Sequence, residues 1–253
     1  MEILGGAVAS GQLRGDNITA WDNIATYWDQ TLGTGNDMYR ECLLPTLQEL
    51  ANPQAGELAL DLGTGSGLIG ALLATSGAHV TAVDGFKSML EAAETRVKEG
   101  GLGIAFKVVN LARGDSLEAF VERHSTFDLI TFSMTLKELP DLEPLARAVS
   151  KLLAPGGRVV IVNLHPVFSK PAGHRVMKVL ENDGTGKQKP HRHIKVSRYL
   201  DIKPVKSEAI RGQPHPLSIL DPFFRAGLVM DAMREPGFSG SNDLSQLQPY
   251  HNF

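Results

Sequence analysis

The residues best equipped for chemistry are Asp61 and Asp84, with Gly63, Gly65 and Gly67 set between them. Asp61 lies in the apolar run 58–62 and Asp84 closes the run 80–83, so each carboxylate is delivered at the carboxyl end of a strand. The glycines let the backbone turn sharply and come close to a ligand. Strand, glycine loop, helix, strand and acid, in that order, is how a doubly wound fold holds a nucleoside. Gly65-x-Gly67-x-x-Gly70 also fits a dinucleotide fingerprint with Asp84 as its ribose acid, so the glycines alone leave two cofactors open. In that second reading the first glycine should follow the strand directly, whereas here Gly63-Thr64 intervene. A phosphate-cradling loop is excluded, because no Gly-Lys-Ser or Gly-Lys-Thr follows.

Residues 58–62, 80–83, 104–109, 127–132 and 158–163 read as strands, alternating with helices over 68–75, 87–98, 116–123 and 142–153. The alternation predicts an α/β fold, a doubly wound, mostly parallel Rossmann-like sheet with helices on both faces. Two helices with apolar positions at helical spacing, 18–32 and 39–50, precede the first strand. Asp141 is placed to cap the helix that begins at 142, and Pro155-Gly-Gly reads as the turn that ends it. Beyond His165 the rhythm breaks into a basic stretch whose strands at 194–200 and 205–210 would pair as a hairpin. A helix near 217–226 and a strand at 228–233 follow, then a polar tail. The expected organisation is a single domain: residues 1–50 an arm and cap helices, 51–165 the cofactor-binding core, 166–215 an inserted lid, and 216–253 a closing helix, strand and tail.

Composition narrows the setting. With 253 residues and 42% hydrophobic content the chain can bury one sizeable core, and no apolar run approaches the ~20 residues needed to cross a bilayer. The start lacks a basic region followed by an apolar stretch, so no secretory signal is expected, and Cys42 alone rules out an intrachain disulfide. A cytoplasmic setting follows as the expectation. The net charge of -3 hides an asymmetry: residues 170–211 carry eleven Lys and Arg against four Asp and Glu, inside an acidic body. A solvated loop is the plain reading of that segment, and steering of an anionic substrate the sharper one.

At this point the sequence resembles class I S-adenosylmethionine-dependent methyltransferases, over most of the chain from 18 to 238. Leu60-Asp-Leu-Gly-Thr-Gly-Ser-Gly67 is similar to the family's first motif, Val80-Thr-Ala-Val-Asp84 to its second-strand acid, and Phe127-Asp-Leu-Ile130 to its fourth strand. Leu152-Leu-Ala-Pro-Gly-Gly-Arg158 is similar to the turn before strand five and is the most specific of these strings. Asn163-Leu-His-Pro166 and Gln213-Pro-His-Pro-Leu-Ser218 resemble a small-molecule branch. The resemblance implies S-adenosyl-L-methionine as cofactor. It implies Asp84 on the ribose hydroxyls with Gly85 beside it, Phe86 and Met89 flanking the adenine, and Asn110 with Leu111 near the adenine amine. It further implies Asp61, Gly63, Gly65 and Ser133 along the methionine portion, and Tyr27 and Arg40 closing the site over its carboxylate. An exposed helix arginine is the plainer reading of Arg40. The family's sheet ends in a two-strand hairpin, which the polar tail does not supply, so six strands or an edge covered by a second copy, a homodimer, is expected.

With an activated methyl group in place, the protein must align an acceptor and exclude water. A general base adds rate if the acceptor carries a proton, and a histidine near its ordinary pKa of ~6.5 suits that role. His165 is the first candidate, since it leaves strand five at the carboxyl edge of the sheet, with a ring that caps its own turn as the plainer reading. His193 and His215 follow with His191, all near the insertion. His191-x-His193 has no cysteine or carboxylate set beside it, so no metal is expected. Glu138 reads equally as a contact for an amine substrate or as a surface carboxylate beside Lys137. Phe168, Tyr199, Phe223 and Phe224 read as core before they read as pocket lining. No aromatic-basic stripe is present, and Ser133-Met-Thr-Leu is not an Asn-Pro-Pro-Tyr segment, so nucleic acid and membrane are not expected partners. The expected function is methyl transfer to a small molecule in specialised metabolism. The alternatives are a cyclase or pericyclase that keeps the methyl, and a non-catalytic cofactor-binding subunit.

Overall fold

The runs at 58–62, 79–84 and 127–133 become parallel strands because they are largely buried on both faces, and those at 104–108 and 153–162 flank them with half-buried and exposed residues. The computed structural model describes residues 35–164, 173–182, 184–186, 188–196 and 216–237. Tyr27, His165, His215, Phe168, Tyr199 and the helix expected at 18–32 lie outside them.

Strands β1 (Leu58–Leu62), β2 (His79–Asp84), β3 (Ile104–Val108), β4 (Phe127–Ser133) and β5 (Leu153–Val162) form one parallel sheet in the order β3-β2-β1-β4-β5. A π-helical turn, Met38–Leu43, runs straight into α1 (Leu44–Ala51). Then come α2 (Leu68–Thr75), α3 (Lys87–Glu99), α4 (Gly114–Val121), α5 (Glu143–Leu152) and α6 (Pro216–Arg225). Leu43 and Leu47 pack with Ile69 and Leu73 of α2 in one core cluster. Leu117, Leu145, Val149 and Phe223, from α4, α5 and α6, join Leu60, Ile130 and Phe132 of the strands in the other. Phe132 meets Phe223 edge-on with ring centroids 5.9 Å apart, which locks α6 to the sheet. Phe223 is core, as its plainer reading had it, whereas Phe224 is 45% exposed.

Asp141 stands one residue before the N-cap, Leu142, and its Oδ1 accepts the Glu143 amide at 3.0 Å. Three expectations need correction. The Pro155-Gly-Gly string is not a separate turn, because β5 begins at Leu153. Leu153 pairs with Phe127, and the register then shifts so that Arg158 pairs with Leu129, leaving the intervening residues as a bulge with Gly156 at φ +79°. Residues 194–196, expected to open a hairpin with 205–210, instead end β7 (Gln188–Val196), which pairs antiparallel with β6 (Gly173–Asn182); residues 197–210 lie outside the described ones. The turn between β6 and β7 falls in Asn182-Asp-Gly-Thr-Gly186, where Gly184 and Gly186 take φ near +80°, a turn composition stronger than the apolar spacing that favoured 194–200. Residues 228–233 form no strand. Leu228 packs against the core, but Val229 is 87% exposed and Met233 59%, and none of the three has a ladder partner among the described residues.

Candidate functional site

Every acid and glycine singled out above reaches the same edge of the sheet, the one formed by the carboxyl ends of the strands. Gly63, Gly65 and Gly67 all have positive φ, between +54° and +81°, so the loop after β1 is built from conformations that side chains resist. A Cβ on Gly63 would come within 2.4 Å of the Thr135 side chain. The Thr135 hydroxyl lies 3.1 Å from the Leu62 carbonyl and 3.3 Å from that of Gly63, so the loop after β4 is clamped on the loop after β1. Met134, at φ +59°, turns the chain into that position; it is one of two non-glycine residues at positive φ among those described. Gly65 differs: a Cβ there would meet nothing within 4 Å. The space beside it is open.

Asp84 is buried, and its two carboxylate oxygens accept different backbone amides, Gly65 at 2.8 Å and Phe86 at 3.0 Å. The carboxylate plane is thereby fixed, and the Gly85 amide acts on it as well. Burial raises its pKa against the pull of those amides. Asp61 is fully buried, with Oδ1 accepting the Thr131 hydroxyl at 2.7 Å. Burial pushes its carboxyl up to about 6, the hydroxyls of Thr64 and Thr131 pull it down, and the charge of Asp84 pushes it up further.

Around Asp61 the hydrogen bonding is incomplete in a patterned way. The Tyr39 hydroxyl and Asn36 Nδ2 are buried with no hydrogen-bond partner among the described residues, and Asp61 Oδ2 and Thr64 Oγ1, near enough for the hydroxyl to act on the carboxyl, make no well-formed bond there either. Asn36 and Tyr39 stand together, since Asn36 Oδ1 accepts the Tyr39 amide at 2.9 Å. Burial and then the charge of Asp61 push the Tyr39 phenol well above its ordinary pKa, so it remains a protonated donor. One orphaned carboxylate oxygen, two orphaned donors and a hydroxyl able to do either form the complement of an α-amino acid. Its ammonium would go to Asp61 and its carboxylate to Asn36 and Tyr39. Unpaired buried groups cost ~1–3 kcal/mol each, so a ligand that fills them is strongly favoured.

The sequence candidates fall into this frame unevenly. Asp61, Gly63, Gly65, Asp84, Gly85 and half-buried Phe86 gather at the β1 and β2 ends, with Met89 7% exposed on α3. Ser133 ends β4, and Leu111 is buried in the core cluster beside β3. Asn110 already uses its side-chain carbonyl, which accepts the Ala112 amide at 3.0 Å. Arg40 is 58% exposed and paired with Asp37 at 2.9 Å, the plainer of its two readings. His193 lies on β7. Sequence reasoning missed Asn36, Tyr39, Thr64 and Thr135. Tyr39 had been noticed only as the start of a helix, and no spacing signals that its hydroxyl has nothing to bind. Among the described residues no three His, Cys, Asp or Glu side chains are grouped to hold a metal ion.

Comparison with known proteins agrees with this geometry. Residues 60–161 match a sequence profile described as a methyltransferase domain. Over those residues, about two fifths of its length, the chain carries a segment similar to a methyltransferase domain. It is 30% identical over 122 residues to a ubiquinone biosynthesis O-methyltransferase of Bordetella avium, covering 48% of each chain. It is 32% identical over 162 residues to a demethylmenaquinone methyltransferase of Clavibacter sepedonicus, covering 60% of this chain and 57% of that one. The matches span about half the length of these relatives. The crystal structure of an S-adenosylmethionine-dependent methyltransferase from Mesorhizobium loti has the same fold, with a TM-score of 0.58 at 24% identity over 74% of this chain and 81% of that one. The Mesorhizobium loti protein is named as S-adenosylmethionine-dependent, and the set at Asn36, Tyr39, Asp61 and Thr64 has the chemistry to hold the amino-acid end of such a ligand.

Proposed function

We propose that this chain transfers a methyl group from S-adenosyl-L-methionine to a small-molecule acceptor, in a biosynthetic pathway of specialised metabolism. The observation that carries the proposal is the buried, unfilled complement of an α-amino acid beside the glycine loop. Asp84 supports it as a buried carboxylate held by backbone amides at the end of β2, an acceptor suited to the hydroxyls of a ribose. Phe86 and Met89 would flank the adenine, and Gly65 offers open space where a side chain would obstruct the ligand. The bound cofactor supplies an electrophilic methyl that needs no further activation.

What the chain's own residues contribute is alignment and exclusion of water. Positioning of this kind is worth roughly 7–11 kcal/mol of barrier. Asp61 would hold the amino-acid end and Asp84 the ribose, and the Thr135 clamp joins the loop after β1 to the loop after β4. The names of the relatives favour a small-molecule acceptor over a macromolecule.

The test is a labelled transfer assay. The chain is incubated with methyl-labelled S-adenosylmethionine and fractionated small-molecule extracts, and products are read by mass. A product heavier by one methyl is expected. A product formed only in the presence of cofactor but with unchanged mass would replace transfer with a cyclase-like reaction, and no product with any fraction would favour the non-catalytic subunit.

A further inference from the structure

The sheet order β3-β2-β1-β4-β5 divides the carboxyl edge into two halves. Asp84 and the glycine loop stand on β2 and β1, and the remaining orphaned acceptors stand on the other side. Glu138 closes the 3-10 turn Leu136–Glu138 after β4, and Asn163 follows β5 directly. Glu138 Oε2 and Asn163 Oδ1 are buried and have no hydrogen-bond partner among the described residues. The two strands that present them are neighbours, paired up to Ser133 and Val162, and the Met134 amide binds the Val162 carbonyl at 2.9 Å.

Glu138 is not the surface carboxylate that its sequence setting suggested. Its side chain is 16% exposed, and its other oxygen, Oε1, is 2.8 Å from Lys137 Nζ. The ion pair already cancels its charge. What Oε2 lacks is therefore a hydrogen-bond donor and not a counter-ion. A protonated amine at that oxygen would add an unbalanced cation to a largely buried pair, beside a methyl donor that is itself cationic. A neutral O–H group fills the vacancy with no added charge.

We propose that Glu138 is a catalytic residue that receives the hydroxyl of the acceptor on Oε2 and takes its proton, so that the acceptor is a neutral hydroxylated compound and the transfer is to oxygen. Asn163 Oδ1 accepts a second donor of the same molecule, which suits adjacent hydroxyls. In the step, the acceptor's O–H bond breaks as its O–C bond forms, the proton passes to Glu138 Oε2, and the electron pair of the broken C–S bond stays on sulfur. Lys137 keeps its charge throughout. Burial raises the pKa of Glu138 and Lys137 lowers it, and Lys137 is the one charged group acting on it among the described residues. A carboxylate shifted upward in this way is a better base near neutral pH than an exposed glutamate.

This inference rests on the methyltransferase reading, and the experiment separates the two. Wild type and Glu138→Gln are each titrated by calorimetry with S-adenosylhomocysteine, then at saturation with catechol and with benzylamine, and labelled methyl transfer to catechol is followed against pH. Expected results are equal S-adenosylhomocysteine affinity in both proteins within about twofold, catechol binding by wild type that weakens at least tenfold in the variant, and no benzylamine binding. Methyl transfer should fall by ~10²–10⁴ in Glu138→Gln, with loss of the acid limb of the kcat/KM profile. Wild type that binds no catechol, prefers benzylamine, or differs from Glu138→Gln in neither binding nor pH profile would overturn the proposal. Failure of wild type to bind S-adenosylhomocysteine would instead remove the methyltransferase reading on which it stands.

Discussion

Asp61 carries an unusual charge for its position, fully buried and with one oxygen unsatisfied. Its folded pKa of about 6 lies above the ordinary 3.8, so the folded state binds the proton more tightly than the unfolded one. The stabilisation linked to that proton is complete below the ordinary value and is lost as pH rises from 3.8 through about 6. By neutral pH the ionised carboxylate costs up to about 3 kcal/mol. Asp61→Asn removes that cost. Denaturant melts should show the variant no less stable than wild type at pH 4 and more stable at pH 7, while its affinity for S-adenosylhomocysteine falls. For Asp84→Asn, which keeps the shape and loses the charge, calorimetry should give a loss of about 10²-fold in that affinity, from two charge-assisted hydrogen bonds reduced to neutral ones. These two acids were legible in the sequence because each ends an apolar run. Asn36, Tyr39 and Thr64 were not, because their significance lies in partners they lack in three dimensions.

At the scale of elements, the glycine loop makes two separable demands. Gly63 must be glycine because Thr135 occupies the place of its Cβ, and Gly65 must be glycine because of its own φ of +54° and the ligand space beside it. Gly65→Ala should cost about 1–2 kcal/mol in stability, the ordinary penalty of a left-handed alanine, and abolish cofactor binding. Gly63→Ala should cost more in thermal melts, since it also displaces the β4 loop. Strands β1 to β4 were readable to within a residue or two, β1 and its bounds included, whereas β5 begins five residues before its expected start because the bulge at 154–157 is part of it. Residues 194–196 pair with β6 because the glycine turn before β7 fixes register more strongly than the apolar spacing that set them in a later hairpin. The strand expected at 228–233 failed for the complementary reason, that spacing without a neighbouring ladder specifies nothing.

Across the whole molecule, the sheet order sets cofactor-holding groups on β2 and β1 beside acceptor-facing groups on β4 and β5, with Thr135 joining the halves. A ligand that fills one half should therefore stabilise the entire fold. At a hundredfold excess over its Kd, S-adenosylhomocysteine should add about 2.7 kcal/mol and raise the melting temperature by roughly 5–10 °C. The central claim, that Asn36, Tyr39, Asp61 and Thr64 form a pocket for the amino-acid end of the cofactor, is tested most directly by comparing two ligands by calorimetry. S-adenosylhomocysteine carries that end, and methylthioadenosine has the same adenine, ribose and thioether without it. Wild type should bind S-adenosylhomocysteine at least a hundredfold more tightly, and Asp61→Asn should erase most of the preference. Equal affinity of wild type for the two ligands would contradict the account.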